Sequence, residues 1–387
     1  MTTPFADLSL HYVGEEALLL DPTRQRLYAL NACAGFICTL LKDGKSPAEV
    51  GRLLNEQLEV PVETAASYVE CALRQYDDLV SDKVSVEPVT AVPVNGQWRP
   101  RPRNDAAIVE AYSMLNALFR VHYESTGLFA SIHPLLRHGT PASETRAATT
   151  IDLDVVCEND GVAVLLDQRL IARCRWAEQA AAMLRACLTE LAVMKSGGLC
   201  AIHAGALRRN GRALLLPGDA GYGKSTLSAG LAACGFDMLS DDTTLIEGEP
   251  PLVRSIRAGL CIKRGAYAVL ELAYPQLPSL PEWRRPDGRW VRYLMPGEHV
   301  PWAEADAALA VGWIVFPRYS PDQRTALLPL SRHEALAHLL RGACFLSGAL
   351  DERSLETLIA WIERIECFEL PLSSLDAATS LLDELCR

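Results

Sequence analysis

Residues 213–247 read ALLLPGDAGYGKSTLSAGLAACGFDMLSDDTTLIE, and most of the fold reading hangs on them. Ala213 to Leu216 is a short apolar run of the kind that forms a buried strand. Gly218-Asp219-Ala220-Gly221-Tyr222-Gly223-Lys224-Ser225 then matches G-x-x-x-x-G-K-[ST]. Thr226 to Cys234 reads as a helix, with Gly235 as its stop. Strand, glycine loop and helix form the context in which this motif cradles phosphate. Glycine lets backbone N–H groups close around phosphate oxygens, and a helix N-terminus adds partial positive charge. The reading makes Gly218 to Thr226 the nucleotide-binding segment, with Lys224 on the terminal phosphates and the Ser225 hydroxyl on Mg²⁺.

Working outward, Phe236 to Ser240 reads as a second apolar strand, ending in Asp241-Asp242. A carboxylate at such a strand end meets the magnesium shell. A second one beside it can take a proton from an attacking hydroxyl. Adjacent residues of a strand face opposite ways, so the pair is expected to divide these tasks. His203 lies 21 residues ahead of Lys224 and is a further candidate, although a lone histidine is more often structural. Trp283 to Arg292 reads as a surface loop with four arginines. Arg318 follows the apolar strand Val311 to Phe316. Either could neutralise transferring phosphate, or simply be solvated.

Three segments, IHAGAL at 202–207, PGDAGYGKSTLSAGL at 217–231 and GFDMLSDDTTLI at 235–246, resemble the HPr kinase/phosphorylase catalytic domain and its HPr-kinase-related peptide kinases. The likeness continues more weakly through 254–267 and 315–321. It implies an α/β P-loop kinase fold of the PEP-carboxykinase type over about residues 105–387. It also implies ATP and Mg²⁺ as cofactors, and phosphorylation of a serine or threonine. On the matching positions, His203, Lys224, Asp241 and Asp242 are catalytic, and Ser225 and Asp241 are the metal ligands. The E-x-R-G-x-G-I signature of HPr kinases proper is missing. Arg254, Arg257 and Lys263 lie in the corresponding region, and Arg257 and Lys263 are the basic catalytic candidates. Thr226 stands where those kinases usually carry an acid. Both departures point to the branch that modifies peptides rather than to HPr itself. HPr kinases form oligomers, so a homo-oligomer is compatible, though no heptad here calls for one.

Toward the N-terminus the pattern changes. Residues 8–13, 16–20 and 26–30 read as three short strands. Asn31 is expected to cap a first helix, and Ser46-Pro47 opens a second with Val50, Leu53, Leu54 and Leu58 inward. Thr64 opens a third with Ala65, Tyr68, Val69, Ala72 and Leu73. The segment EALLLDPTRQRLYALNACAGFICTLLKDGKSPAEVGRLL, at 16–54, resembles a PqqD-type domain, the small α+β winged helix called a RiPP recognition element. The resemblance covers about residues 8–82. It implies that a precursor-peptide leader docks as an added strand beside the third strand and third helix. A purely structural winged helix is the plainer alternative. Residues 87–104, EPVTAVPVNGQWRPRPRN, hold four prolines and read as an extended linker. The expected division is therefore 1–86, a linker at 87–104, and 105–387.

The chain has 387 residues and a formal charge of −11. Residues 1–90 carry 14 Asp/Glu against 7 Lys/Arg, most of the excess. Such acidity argues against nucleic acid as a partner, since phosphate contacts need Lys and Arg. It suits a basic peptide leader. No apolar run reaches the ~18 residues of a membrane span, and no secretory signal is visible. The 12 cysteines include no CxxC pair and are expected to be buried free thiols in a reducing cytoplasm. Together these readings give a cytoplasmic kinase that captures a ribosomally made precursor peptide with its N-terminal domain. Two alternatives stay open: a small-molecule kinase with a structural N-terminal domain, and a peptide chaperone that uses nucleotide only as a switch.

Overall fold

The computed structural model describes residues 8–13, 16–21, 26–30, 32–58, 60–81, 107–139, 149–158, 161–340, 344–346 and 351–387. The linker expected at 87–104, the Asn31 cap and the turn at 22–25 lie outside the described residues. The chain forms two compact units. The first holds 1–88 together with 330–341 and 348–367, and the second holds 89–329, 342–347 and 368–387.

In the first unit, β1 (Ser9–Val13), β2 (Glu16–Asp21) and β3 (Arg26–Leu30) form an antiparallel sheet in the order β1-β2-β3. Helices α1 (Ala32–Lys42), α2 (Pro47–Leu58) and α3 (Val62–Ser81) follow. As the sequence predicts, Ser46 caps α2: its Oγ accepts from the Glu49 N–H, and the Ser46 N–H donates to the Glu49 carboxylate. Leu19, Ile37, Leu41, Val50, Leu54, Ala65 and Val69 make the core. A Cβ at Gly35 would lie 2.8 Å from that of Ala17, so only glycine lets α1 approach β2 this closely. Tyr68, expected inward, is instead 47% exposed.

The second unit begins with β4 (Ile108–Met114), β5 (Ala117–Tyr123), α4 (Thr126–Leu136), β6 (Thr149–Glu158), β7 (Gly161–Leu166), β8 (Arg169–Cys174) and α5 (Ala180–Ser196). The strands form one sheet in sequential order, and α4 and α5 pack on it over Phe119, Tyr123, Ile132, Leu153 and Leu184.

Next come β9 (Cys200–Ile202), β10 (Ala204–Arg209), β11 (Arg212–Pro217), α6 (Lys224–Ala233), β12 (Asp237–Ser240), β13 (Thr244–Glu247), β14 (Leu252–Arg254), β15 (Leu260–Lys263) and the one-turn α7 (Tyr267–Leu270). They are followed by β16 (Trp283–Arg284), β17 (Trp290–Leu294), β18 (Ala308–Leu309), β19 (Val311–Tyr319) and β20 (Leu328–Pro329). Helix α8 (Arg332–His338), β21 (Cys344–Leu346), α9 (Glu352–Ile362), β22 (Glu366–Leu372) and α10 (Leu375–Leu385) complete the chain. The central sheet runs β12-β10-β11-β19-β22-β20. Trp283 to Arg292 is not the loop expected: its ends are strands of the three-stranded sheet β15-β17-β16, joined by a tight turn.

Helices α8 and α9 belong to the first unit, where α8 packs on β2 and β3 and α9 on β1. The expected division, with everything after residue 105 in one domain, is corrected accordingly. The reason is visible in β2, whose four apolar residues Ala17 to Leu20 are all buried, a pattern that requires a cover on each face. Among the described residues eleven cysteines form no disulfide; Cys71, Cys157 and Cys234 are exposed, against the expectation of buried thiols. No described helix is long and apolar enough to cross a membrane.

Candidate active site

Strand directions create the site. β10 pairs antiparallel with both β11 and β12, and β11 pairs parallel with β19. Strands β11, β12 and β19 therefore share a direction, and their carboxyl ends meet at one edge of the sheet. Ligands of open α/β sheets bind at that edge. The glycine loop follows β11, Asp241-Asp242 follows β12, and Tyr319 ends β19.

The loop needs its glycines. Gly218, Gly221 and Gly223 have φ of 148°, 102° and 90°, values that side-chain-bearing residues rarely adopt. Gly223 is the N-cap of α6 and supplies no side-chain cap, so the first N–H groups of the helix face the loop. Lys224 opens the helix; its ammonium donates to the carbonyls of Gly218 and, at 3.1 Å, of Asp219. Burial pulls its pKa down, and the carboxylates of Asp242 and Asp241 oppose that pull. A lysine held in this way places a cation at the centre of the loop.

The two acids face different ways, though not by alternation along a strand. Asp241 and Asp242 lie in a bend beyond β12, and Asp242 takes a left-handed φ of 64°. Asp241 turns inward: it accepts from the Ser225 hydroxyl at 3.0 Å and from the Cys261 N–H at 2.8 Å. Burial, and then the neighbouring Asp242 charge, push its pKa up to about 7, against the pull of those two donors. Asp242 turns outward into the pocket, its carboxylate 3.6 Å from Arg285.

These groups line a pocket of about 370 Å³, within the range of small-ligand sites. Its lining includes the polar and charged His203, Asp242, Lys263, Arg285 and Arg289, and also Tyr319, Leu372, Ser373 and Leu375. The Tyr319 N–H donates to the Tyr222 carbonyl of the loop, and the Ser320 N–H to the Leu372 carbonyl. Burial, then the Lys224 charge, lower the pKa of His203, so a neutral ring faces the pocket.

Of the residues chosen from sequence, His203, Ala220, Gly221, Gly223, Lys224, Ser225, Thr226, Asp242 and Lys263 line the pocket. Gly218, Asp219 and Tyr222 shape the loop without lining it, and Asp241 sits behind it. Arg257 is a correction: it is absent from the pocket wall, and its guanidinium donates to the Ala303 carbonyl at 2.7 Å. Arg318 is absent too, while its neighbour Tyr319 takes part. Sequence reading missed Arg185. This residue of α5 is 9% exposed, lies over the Tyr293 ring, donates to the Ala258 carbonyl and acts electrostatically on Cys261, Asp242 and Asp241. The signal was available: Arg185 interrupts the apolar stripe of Ala181, Leu184, Leu188 and Ala192.

The donor set suits a hard cation shared with a phosphate ligand. Ser225 and Asp241 offer one hydroxyl and one carboxylate, and among the described residues no group of three or more His, Cys, Asp or Glu could hold a metal by itself. Mg²⁺ is commonly held by one or two protein oxygens plus substrate phosphates and water.

Comparison with known families adds one finding. Residues 16–78 match the family model described as Coenzyme PQQ synthesis protein D (PqqD). The first unit therefore contains a PqqD domain, the RiPP recognition element, and this supports a precursor-peptide-binding role in peptide modification. No curated protein matches the chain.

Proposed function

We propose that the chain is an ATP-dependent kinase that phosphorylates a serine or threonine of a precursor peptide held by its PqqD domain. The observation that carries this reading is the division of the acidic pair around the glycine loop: Asp241 on Ser225, Asp242 in the pocket beside Lys224. Bound Mg²⁺ and ATP supply the transferable phosphoryl group and offset its charge. Gly221, Gly223 and the start of α6 would hold the phosphates, with Lys224 released from its two carbonyls to meet them. Ser225 and Asp241 would hold the cation. Asp242 would take the proton of the acceptor hydroxyl, and neutral His203 would orient it. Asp242 lines the pocket beside Arg285, so the acceptor would enter there. Tyr319, Leu372 and Leu375, uncharged lining residues, would then meet the nucleoside. The resemblance to HPr-kinase-related enzymes supports the same assignment. Capture by the PqqD domain raises the local concentration of acceptor, so a weak grip at the pocket suffices.

The test is to incubate the purified chain with MgATP and any short peptide encoded beside its gene, then weigh the peptide. The expected product is heavier by one phosphoryl group, ~80 Da. Asp242→Asn should cut transfer by about 10²–10⁴-fold while nucleotide binding persists. Lys224→Met should weaken both. Nucleotide binding with no mass gain on any co-encoded peptide would refute the kinase reading.

A further inference from the structure

The PqqD match ends at residue 78, yet the first unit does not. Its sheet has two distinguishable faces. Tyr12 and Ala17 are cross-strand partners, and the Tyr12 hydroxyl reaches Thr39 of α1 at 2.5 Å. Ala17 lies against Gly35, and Leu19 joins the core of α1–α3. Tyr12, Ala17 and Leu19 thus define the face under the three helices. Strand residues alternate, so His11, Leu18 and Leu20 point the other way. His11 and Leu18 are cross-strand partners. That opposite face is not open: Leu18 and Leu20 are 0% and 1% exposed. His11 approaches Glu352, the first residue of α9, at 4.0 Å. The His333 ring of α8 donates Nε2–H to the Ala17 carbonyl at 3.1 Å. Leu336, Leu355, Leu358 and Ile362 of the two helices are buried.

We propose that the peptide-recognition unit is built from both ends of the chain: α8 and α9 form a second layer over the β1–β3 sheet, and this layer is part of the machinery that presents the sheet to a peptide. Each face of the sheet is then occupied by this chain's own helices. A peptide partner is left the sheet edge, where an extended segment pairs through backbone hydrogen bonds. The inference does not depend on the kinase reading, since it uses no residue of the pocket.

A cooperative unit opens as a whole, and hydrogen exchange of the full chain reads that directly. In a urea series on the unaltered protein, amides of 16–21, 332–338 and 352–362 should converge on one opening free energy. Amides of 204–217 should follow another. Val50→Ala, in the core of α2, should then speed exchange at all three first-unit segments by the same factor, roughly tenfold. Leu358→Ala in α9 should do the same to 16–21. If 332–338 and 352–362 follow 204–217 in urea, or keep their protection while 16–21 loses it, the second layer is not part of the recognition unit. The urea series needs no variant, so a misfolded mutant cannot obscure the answer.

Discussion

At the scale of single residues, the pocket separates groups by what they face. Lys263 lines it and lies close enough to Lys224 to depress its pKa, whereas Arg257 is spent on a backbone carbonyl. Lys263→Ala is therefore expected to slow phosphoryl transfer by roughly 10–100-fold. Arg257→Ala is expected to leave KM for ATP unchanged and to cost about 1 kcal/mol of stability. Steady-state kinetics beside urea unfolding separates the two. A second prediction concerns His138, whose pKa burial, and then the Arg185 charge, lower to about 4. The sign follows from the unfolded chain, where histidine titrates near 6.5. Between ~6.5 and ~4 the unfolded chain takes up a proton that the folded one refuses. The stability tied to the neutral ring is complete above the upper value and is lost as pH falls toward the lower. The expected loss is on the order of 1–2 kcal/mol, after allowance for partial exposure. His138→Gln should flatten the stability profile over that window in denaturant titrations at fixed pH. The glycine loop, Lys224, Ser225 and the acid pair were legible in sequence because fixed spacing on one short segment carries their geometry. Arg185 showed only as a break in an apolar stripe; its place at the site, like that of Tyr319, depends on how α5 and β19 pack, which only the folded chain reveals.

At the scale of elements, helix α6 depends on how closely α10 can approach it. A Cβ at Gly230 would fall 2.8 Å from Leu375 Cδ1 and 3.0 Å from Thr379 Cγ2. Leu375 also lines the pocket. Gly230→Ala should thus act twice. Overpacking should destabilise the protein by about 1–3 kcal/mol, and the displaced Leu375 should weaken nucleotide binding several-fold. Calorimetric titration with MgADP beside thermal unfolding would read both effects, and a gain in stability from the added methyl group would count against the packing argument. Local patterning served well for the first unit, where strands and caps are set by neighbours in sequence: the Ser46–Glu49 box lies within four residues. It served poorly at Trp283–Arg292. There the arginine-rich composition suggested solvent, but Arg284 and Arg292 rest over the rings of Trp290 and Tyr267 and let short strands form.

At the scale of the whole molecule, the two units interrupt each other in sequence. Removing the N-terminal residues looks like a clean way to ask whether peptide capture matters. The fold predicts otherwise. A chain lacking 1–88 would strip the cover from the apolar faces of α8 and α9. Such a chain is expected to be cut by trypsin within 330–367, at Arg332, Arg341 and Arg353, well before the segment 201–325. Mass spectrometry of a timed digest would show this order, and equal resistance of the two regions would contradict it. Point substitutions on the peptide-docking edge are the better probe of capture. No sequence signal marked this interleaving, because residues 330–367 have ordinary helical patterning and their partners lie some 300 positions away.

Strand β22 gives the interleaving a historical meaning. It starts with Glu366 and Cys367 in the recognition unit and ends with Leu372 on the pocket wall. A recognition module joined through one tether can be exchanged between enzymes by a single recombination event. This one cannot: a crossover anywhere in the 87–104 stretch would graft a foreign module onto helices shaped for the old one. Such a chain is expected to inherit the PqqD-containing unit and the candidate pocket together, so that changes in either arise by substitution rather than by trading parts.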